Sequence, residues 1–136
     1  DLHKSVIYTT RHTHHSNQKA IKICGMEECP IHYIELDENY RLDARHFEEQ
    51  VKNDLQQGLR PFLVVGNAGS TNQGAVDPLH EISRIAKEND IWFHVDGAYG
   101  GLPTMENGNC GGSKKLIRLS WIHTKGYFFH TVLAWF

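Results

Sequence analysis

The chain has 136 residues, of which 40 % are hydrophobic and 22 % are charged, as is usual for a single globular domain. Its formal net charge of -2 at pH 7 gives no electrostatic reason to expect binding to nucleic acid or to an anionic membrane surface. No apolar stretch approaches the length of a membrane span, the first residues do not form a signal peptide, and three scattered cysteines favour reduced thiols in a cytoplasmic protein without a metal site.

Strands and helices are predicted to alternate along the chain. In order, we expect a strand at 6–8, a helix from about 16, a strand at 32–36, a helix from about 44, a strand at 61–66, a helix from about 79 and a strand at 91–95. The strongly apolar tail at 118–136 suggests two further strands. Such alternation indicates βαβ units with right-handed crossovers, and therefore an α/β fold with a mainly parallel sheet.

Each predicted helix has an apolar face that is expected to pack against the core. These positions are Ala20, Ile21, Ile23 and Cys24 in the first helix, Phe47, Val51 and Leu55 in the second, and Leu79, Ile82, Ile85 and Ala86 in the third. Asp43 and Asp77 precede the second and third helices, where we expect their carboxylates to cap free N–H groups. Gly25 and Gly58 are expected to end the first two helices.

The apolar run that begins at Ile91 ends in a single carboxylate, Asp96, and glycines follow it. This pattern predicts a strand buried in a parallel sheet, with an acid at its carboxyl end that is costly to bury unless a cation or a strong donor meets it. His14 and Asn67 follow two other predicted strands. Because the carboxyl ends of parallel strands meet at one edge, where open α/β sheets bind their ligands, these side chains predict a ligand site.

The chemistry of this set suits a pyridine-based aldehyde cofactor. A carboxylate would keep the ring nitrogen of such a cofactor protonated, so that the ring can accept electrons. An imidazole would lie flat against the ring. A lysine on a later turn would hold the aldehyde as an imine until an amine substrate displaces it.

Four motifs appear in the order and with approximately the spacing of a known family. They are Thr13-His14-His15-Ser16 with Lys19-Ala20, Gly66-Asn-Ala-Gly-Ser-Thr71, Gly74-Ala-Val-Asp-Pro-Leu79 and Trp92-Phe-His-Val-Asp-Gly-Ala-Tyr-Gly-Gly101. With them, the chain resembles the group II pyridoxal-phosphate-dependent decarboxylases, which include the glutamate, histidine and aromatic-L-amino-acid decarboxylases. The resemblance covers about 5–101 and implies a three-layer αβα fold, part of the large domain of the fold-type I, aspartate aminotransferase-like, transferases.

The resemblance also implies roles for four residues. His14 would stack on the cofactor ring near the substrate carboxylate, and Asp96 would pair with the pyridine nitrogen. Ala98 would form a wall beneath the ring. Asn67 stands where the family usually has a small hydroxyl residue, and we expect it to contact the cofactor in that place.

The family's imine-forming lysine directly follows a histidine. The nearest match here has a threonine between His123 and Lys125, and the residues after it resemble the family's continuation. By this resemblance, Lys125 forms the Schiff base and His123 contacts the cofactor. An exposed turn lysine is the alternative for Lys125, and Lys114 and Lys115 are weaker candidates because their surroundings resemble a solvated loop.

The implied reaction is the decarboxylation of an L-amino acid through a Schiff base and a quinonoid, in a homodimer. Family members are several times longer, so we expect residues 1–136 to be a partial large domain without the upstream phosphate-binding loop and the small carboxyl-terminal domain. Two alternatives stay open. The chain is either a catalytically inactive, truncated remnant, or another fold-type I enzyme such as a transaminase, an aldolase or a desulfurase.

Overall fold

The structure is a computed structural model, which describes residues 1–70 and 74–97. After a short 3-10 turn at Leu2–Lys4, the elements are β1 (Ser5–Thr9), α1 (His15–Ile23), β2 (Ile31–Tyr33), α2 (Ala44–Gln56), β3 (Arg60–Asn67), α3 (Leu79–Glu88) and β4 (Trp92–Asp96). Within these residues, four parallel strands form one sheet in the order β2-β1-β3-β4. The predicted α/β fold with a parallel sheet is confirmed. The strands predicted at 118–136 lie outside the described residues.

Helices lie on both faces of the sheet. On one face, Tyr8 of β1 and Val64 of β3 pack with Phe47 of α2 and Ile82 of α3 in a buried apolar cluster. Successive residues of a strand point to opposite faces, so Val65 points away from this cluster and lines the space beneath α1. The arrangement is a three-layer αβα sandwich.

The strand order creates a crevice at the carboxyl ends of the two central strands, β1 and β3. From β1 the chain crosses one face through α1 to β2, then crosses the other face through α2 and enters β3 on the far side of β1. Connections that diverge in this way leave a crevice at the carboxyl ends of the two central strands, where ligands bind in open α/β sheets. The residues that follow β1 and those that end β3 are therefore well placed to form a site.

The helix ends agree with the glycine pattern. Gly25 and Gly58 have φ angles of 69° and 75°, which are strained for residues with a side chain. This conformation lets the next N–H group reach back to a helix carbonyl, as in the bond of 2.9 Å from Leu59 N to Asp54 O. The expected ends of α1 and α2 are confirmed.

The core-facing side of α2 differs from the prediction at one position. Phe47 and Val51 are buried as expected, but Leu55 is 49 % exposed and Asp54 is fully buried instead. At about 100° per residue, the seventh position after Phe47 is displaced by about 20° around the helix, whereas the eighth is displaced by about 80°. The prediction for Leu55 was wrong because a polar residue occupies the better-aligned position.

The predicted apolar face of α1 is also wrong in the described structure. This helix buries no side chain, and Ile23 is 85 % exposed. A cavity of about 30 Å³ lies between α1 and the sheet and is lined by Ile21 and Val65, so this part of the helix is not tightly packed. Among the described residues, nothing covers the outer side of α1, so its apolar residues have no core to enter.

A buried hydrogen-bond network joins β1, β2 and α2. The carboxylate of Asp54 accepts hydrogen bonds from Tyr8 Oη at 2.7 Å, from His32 Nδ1 at 2.9 Å and from Gln50 Nε2 at 2.9 Å. These donors compensate for the burial of the acid. Burial, together with the hydrogen bond and the charge of Asp54, raises the pKa of Tyr8 far above its usual value.

This raised pKa predicts a loss of stability in alkali. The folded chain keeps the phenol proton of Tyr8 at pH values where the unfolded chain, with a pKa near 10, has released it. The contribution of Tyr8 is therefore complete below about pH 10 and is lost above it, by up to about 1.4 kcal/mol per pH unit. Urea titrations of the wild type and Tyr8→Phe from about pH 8 to 11 are expected to show a stability difference that shrinks above pH 10. A constant difference would contradict this account.

Candidate functional site

The turn after β1 brings a hydroxyl group against the end of β3. Thr13 Oγ1 accepts a hydrogen bond of 2.8 Å from Thr9 Oγ1, at the end of β1. The same oxygen lies 3.5 Å from Asn67 Nδ2, at the end of β3. Thr13 therefore joins the two strands that flank the crevice, a role that its place in the motif did not reveal.

His14 caps α1 and exposes its ring at this edge. Its Nδ1 accepts from the backbone N–H of Ser16 at 3.2 Å and lies 2.8 Å from the Ser16 hydroxyl oxygen. A backbone N–H can only donate, so the ring proton of His14 lies on Nε2. The side chain is exposed, and its centroid is 4.1 Å from that of the His15 ring. One nitrogen of His14 is thus fixed by the helix, while the ring remains accessible.

Asp96 ends β4 directly beside Asn67, its partner in β3. Its side chain is half-buried, and Oδ2 accepts a hydrogen bond of 2.9 Å from Asn17 Nδ2, in the first turn of α1. Its backbone oxygen accepts from Ala68 N at 2.8 Å, which continues the pairing of the two strands past their ends. The expected position of the acid at the carboxyl edge is confirmed.

The buried carboxylate of Asp77 holds Asn67 in place. Asp77 Oδ2 accepts from Asn67 N at 2.7 Å and from Asn67 Nδ2 at 3.2 Å, and Asp77 Oδ1 accepts from Leu42 N at 2.8 Å. Burial raises the pKa of Asp77, although the three N–H donors act in the opposite direction. The prediction that Asp77 caps α3 was wrong. The helix begins after Pro78 without a side-chain cap, because the carboxylate of Asp77 is directed at β3 and at Leu42 instead.

The described edge therefore brings together His14, Asn67 and Asp96, the three predicted site residues that lie within it. Ala98, His123 and Lys125 lie outside the described residues. A planar ligand at this edge could reach the ring of His14, which is exposed. This arrangement fits a protonated pyridine cofactor, because the half-buried carboxylate can accept a hydrogen bond from the ring nitrogen and the accessible imidazole can pack against the ring.

The described residues contain neither a metal site nor a membrane span. Across 1–70 and 74–97, no group of three or more His, Cys, Asp or Glu side chains is arranged to hold a metal ion. None of the helices in the same ranges combines the length and the apolar character that a membrane crossing requires. The edge that carries Asp96 is the better-supported candidate.

Sequence comparison identifies relatives of this chain. The pyridoxal-dependent decarboxylase conserved domain matches residues 2–107. An aromatic-L-amino-acid decarboxylase from Bacillus atrophaeus is 40 % identical over 100 residues, and a phenylacetaldehyde synthase from Arabidopsis thaliana is 43 % identical over 102 residues. Each match covers 74 % of this chain and 21 % of the relative, so the chain spans about a fifth of the length of these proteins.

Comparison with solved structures also identifies a decarboxylase as similar. The crystal structure of the glutamate decarboxylase domain of diaminobutyrate-pyruvate transaminase and L-2,4-diaminobutyrate decarboxylase from Vibrio parahaemolyticus is similar, with a TM-score of 0.69 and 34 % sequence identity. The match covers 74 % of this chain and 22 % of that one. The expected partial αβα domain of fold-type I is therefore confirmed. The chain belongs to the family of pyridoxal-dependent decarboxylases.

Proposed function

We propose that this chain is part of an enzyme that decarboxylates an L-amino acid with pyridoxal 5'-phosphate. One observation carries the proposal: Asp96 and His14 lie at the same edge of the sheet, and a single amide group, that of Asn17, is hydrogen bonded to both. When bound, the cofactor supplies a ring that accepts the electron pair left by departing carbon dioxide. The family match over residues 2–107 supports this choice of cofactor.

Asp96 would hold a proton on the ring nitrogen. A carboxylate beside that nitrogen favours its positively charged form, which is the form that accepts electrons best. Asp96 is half-buried, so its attraction for a positive charge is screened less than it would be in bulk water. The end of β4 fixes its backbone, which limits the reorganisation needed during the reaction.

His14 would pack against the ring and orient it. Its Nδ1 is bonded to Ser16 at the start of α1, which restricts rotation of the imidazole. A restricted, accessible ring can hold a planar cofactor in one orientation, and positioning of this kind accounts for a large part of enzymatic rate enhancement.

Four further assignments complete the proposal. Lys125 would hold the cofactor through its side-chain amine, and His123, two residues before it, would contact the cofactor. Ala98 would lie beneath the ring. Asn67 would contact the cofactor from the end of β3, where Asp77 and Thr13 restrain its amide.

We further propose an aromatic L-amino acid as the substrate, because an aromatic-L-amino-acid decarboxylase is among the relatives that share about 40 % identity. A second candidate activity is favoured by the 43 % identity to a phenylacetaldehyde synthase. The two are separated by the product, since chromatography of the reaction mixture shows an amine for the first activity and an aldehyde for the second.

The proposal is tested by adding pyridoxal phosphate to the purified protein, reducing the mixture with borohydride and mapping the modified residue by mass spectrometry. We expect modification of Lys125, and release of labelled carbon dioxide from a panel of carboxyl-labelled L-amino acids, foremost from the aromatic ones. Modification without carbon dioxide release would contradict decarboxylation and favour a transaminase, aldolase or desulfurase. No modification at millimolar cofactor would contradict the proposal and favour an inactive remnant.

We also propose that the enzyme is a cytoplasmic homodimer. The cysteine pattern of the sequence supports a reducing compartment, and Cys24 and Cys29 are free thiols in the structure. Sedimentation equilibrium tests the assembly, with twice the monomer mass as the expected result and the monomer mass as the contrary one.

A further inference from the structure

The side chain of Asn17 contacts both His14 and Asp96, the two residues that are proposed to hold the cofactor ring. Asn17 Nδ2 donates to Asp96 Oδ2 at 2.9 Å and to the backbone oxygen of His14 at 3.3 Å. Asn17 lies three positions after His14 and 79 positions before Asp96 in the sequence. A single amide therefore connects the start of α1 to the end of β4.

The chemistry of these contacts fixes the direction of the amide. A carboxylate oxygen and a backbone carbonyl oxygen only accept hydrogen bonds, and the NH₂ group of Asn17 has two hydrogens to donate. Rotating the amide by 180° would place its oxygen against two other oxygens. The bond to the carboxylate is the shorter of the two, as expected for an ionised acceptor.

The packing around α1 gives this bond additional importance. Within residues 1–70 and 74–97 the helix buries no side chain, and residues of α1 and of the sheet line a cavity between them. Apolar contact therefore fixes the height of α1 over the sheet only weakly. A charge-assisted hydrogen bond from its first turn to the end of β4 supplies a directional restraint that loose packing does not.

We propose that Asn17 is a positioning residue, which holds the carboxylate of Asp96 in register with His14 for binding of the cofactor ring. This inference rests on the proposed function, and it assigns Asn17 no contact with the cofactor. Asn17 acts through Asp96, so its removal weakens the recognition of the ring nitrogen more than the recognition of the rest of the cofactor.

The experiment compares two ligands that differ only at the ring nitrogen. Binding of pyridoxal phosphate and of its 1-deaza analogue, in which a C–H group replaces that nitrogen, is measured by titration of the intrinsic fluorescence of the purified protein. The wild type is expected to prefer pyridoxal phosphate. Asn17→Leu, which is similar in size and has no donor, is expected to lower this preference about 10-fold, the usual effect of losing a hydrogen bond to a charged group.

A neighbouring amide provides the matched control. Gln18 lies next to Asn17 in α1, and its Nε2 donates to Tyr33 Oη at 3.4 Å rather than to Asp96. Gln18→Leu therefore removes an amide from the same helix and is expected to retain the wild-type preference. Asn17→Asp provides a second test, because it keeps the size of the side chain but places a carboxylate against Asp96. It is expected to lower the preference at least as much as Asn17→Leu.

The outcomes separate the inference from the proposed function. If the wild type prefers pyridoxal phosphate and both Asn17 variants keep the full preference, the role of Asn17 is overturned and the proposed function stands. If the wild type binds neither ligand, or binds both equally, the proposed role of Asp96 is overturned. Thermal unfolding by circular dichroism identifies which variants are folded, and a variant that does not fold is replaced in the comparison by the other.

Discussion

Replacing Asp96 with alanine is expected to lower the rate of carbon dioxide release by at least about 10²–10³-fold, the usual effect of removing a group that stabilises charge in a transition state. Without the carboxylate, the ring nitrogen loses the negative group that favours its protonated form. The fold should survive, because Asp96 is the last residue of β4 and lies outside the buried apolar clusters. Carbon dioxide release and thermal unfolding, measured on the same sample, separate the two effects.

One control changes Asp96 itself, and the other changes an acid just before the opposite end of β4. Asp96→Asn keeps the shape of the side chain and removes its charge, and is expected to be nearly as inactive as the alanine variant. Asp90, just before the opposite end of β4, is far along the strand from the crevice. Asp90→Asn should keep the wild-type rate, since asparagine also tolerates the φ angle of 55° at this position. Normal turnover by Asp96→Ala would remove Asp96 from the mechanism.

Replacing Asp77 with alanine is expected to lower the free energy of unfolding by about 3 kcal/mol or more. The variant leaves the backbone N–H groups of Leu42 and Asn67 without their acceptor, and both groups are buried. An unsatisfied buried donor costs about 1–3 kcal/mol, and here there are two. Since Asp77 also restrains the amide of Asn67, cofactor affinity should fall together with stability. Urea unfolding measures the first effect and fluorescence titration the second.

Asp43 is a matched control for the effect of burial. Its carboxylate also accepts from two backbone N–H groups, those of Arg45 at 2.9 Å and His46 at 3.3 Å, but at the more exposed start of α2. Asp43→Ala should therefore cost only about 1 kcal/mol, as is usual for a helix cap. If Asp43→Ala and Asp77→Ala lowered the free energy of unfolding equally, burial would not explain the size of the Asp77 effect.

The contribution of Asp77 to the free energy of unfolding is expected to fall as the pH rises. Burial raises the pKa of this carboxyl group, so the folded chain binds its proton at a higher pH than the unfolded chain does. The resulting stabilisation is complete below the unfolded pKa of about 3.9 and is lost as the pH rises through the folded value. The stability difference between the wild type and Asp77→Asn should therefore shrink as the pH increases from about 4. A difference that grows would mean that the hydrogen bonds outweigh desolvation.

Local patterns in the sequence predicted most of the fold. Apolar runs and glycines located the strands and helix ends, because these signals depend on residues close together in the chain. Asp43 illustrates this success, since its cap acts within three residues. The parallel sheet then followed from the alternation of strands and helices, and it placed His14, Asn67 and Asp96 at one edge before any contact was known.

The errors and omissions arise where a side chain bonds to a distant part of the chain. Asp77 has the sequence signature of a helix cap, but its carboxylate bonds to Leu42, 35 residues away. The buried carboxylate of Asp54 accepts a hydrogen bond from Tyr8, 46 residues earlier. Asn17 lies one turn beyond His14 and was overlooked, since its bond to Asp96 spans 79 residues. Spacing along the sequence contains no information about such pairs.

The most direct test of the central claim is the protonation state of the ring nitrogen in the bound cofactor. The wild type, Asp96→Ala and Asp96→Asn would be loaded with pyridoxal phosphate labelled with ¹⁵N in the ring, and the nitrogen chemical shift would be measured by NMR at neutral pH. The shift of a protonated pyridine is expected for the wild type, and that of an unprotonated pyridine for both variants. An unprotonated nitrogen in the wild type, or a protonated one in both variants, would contradict the assignment of Asp96.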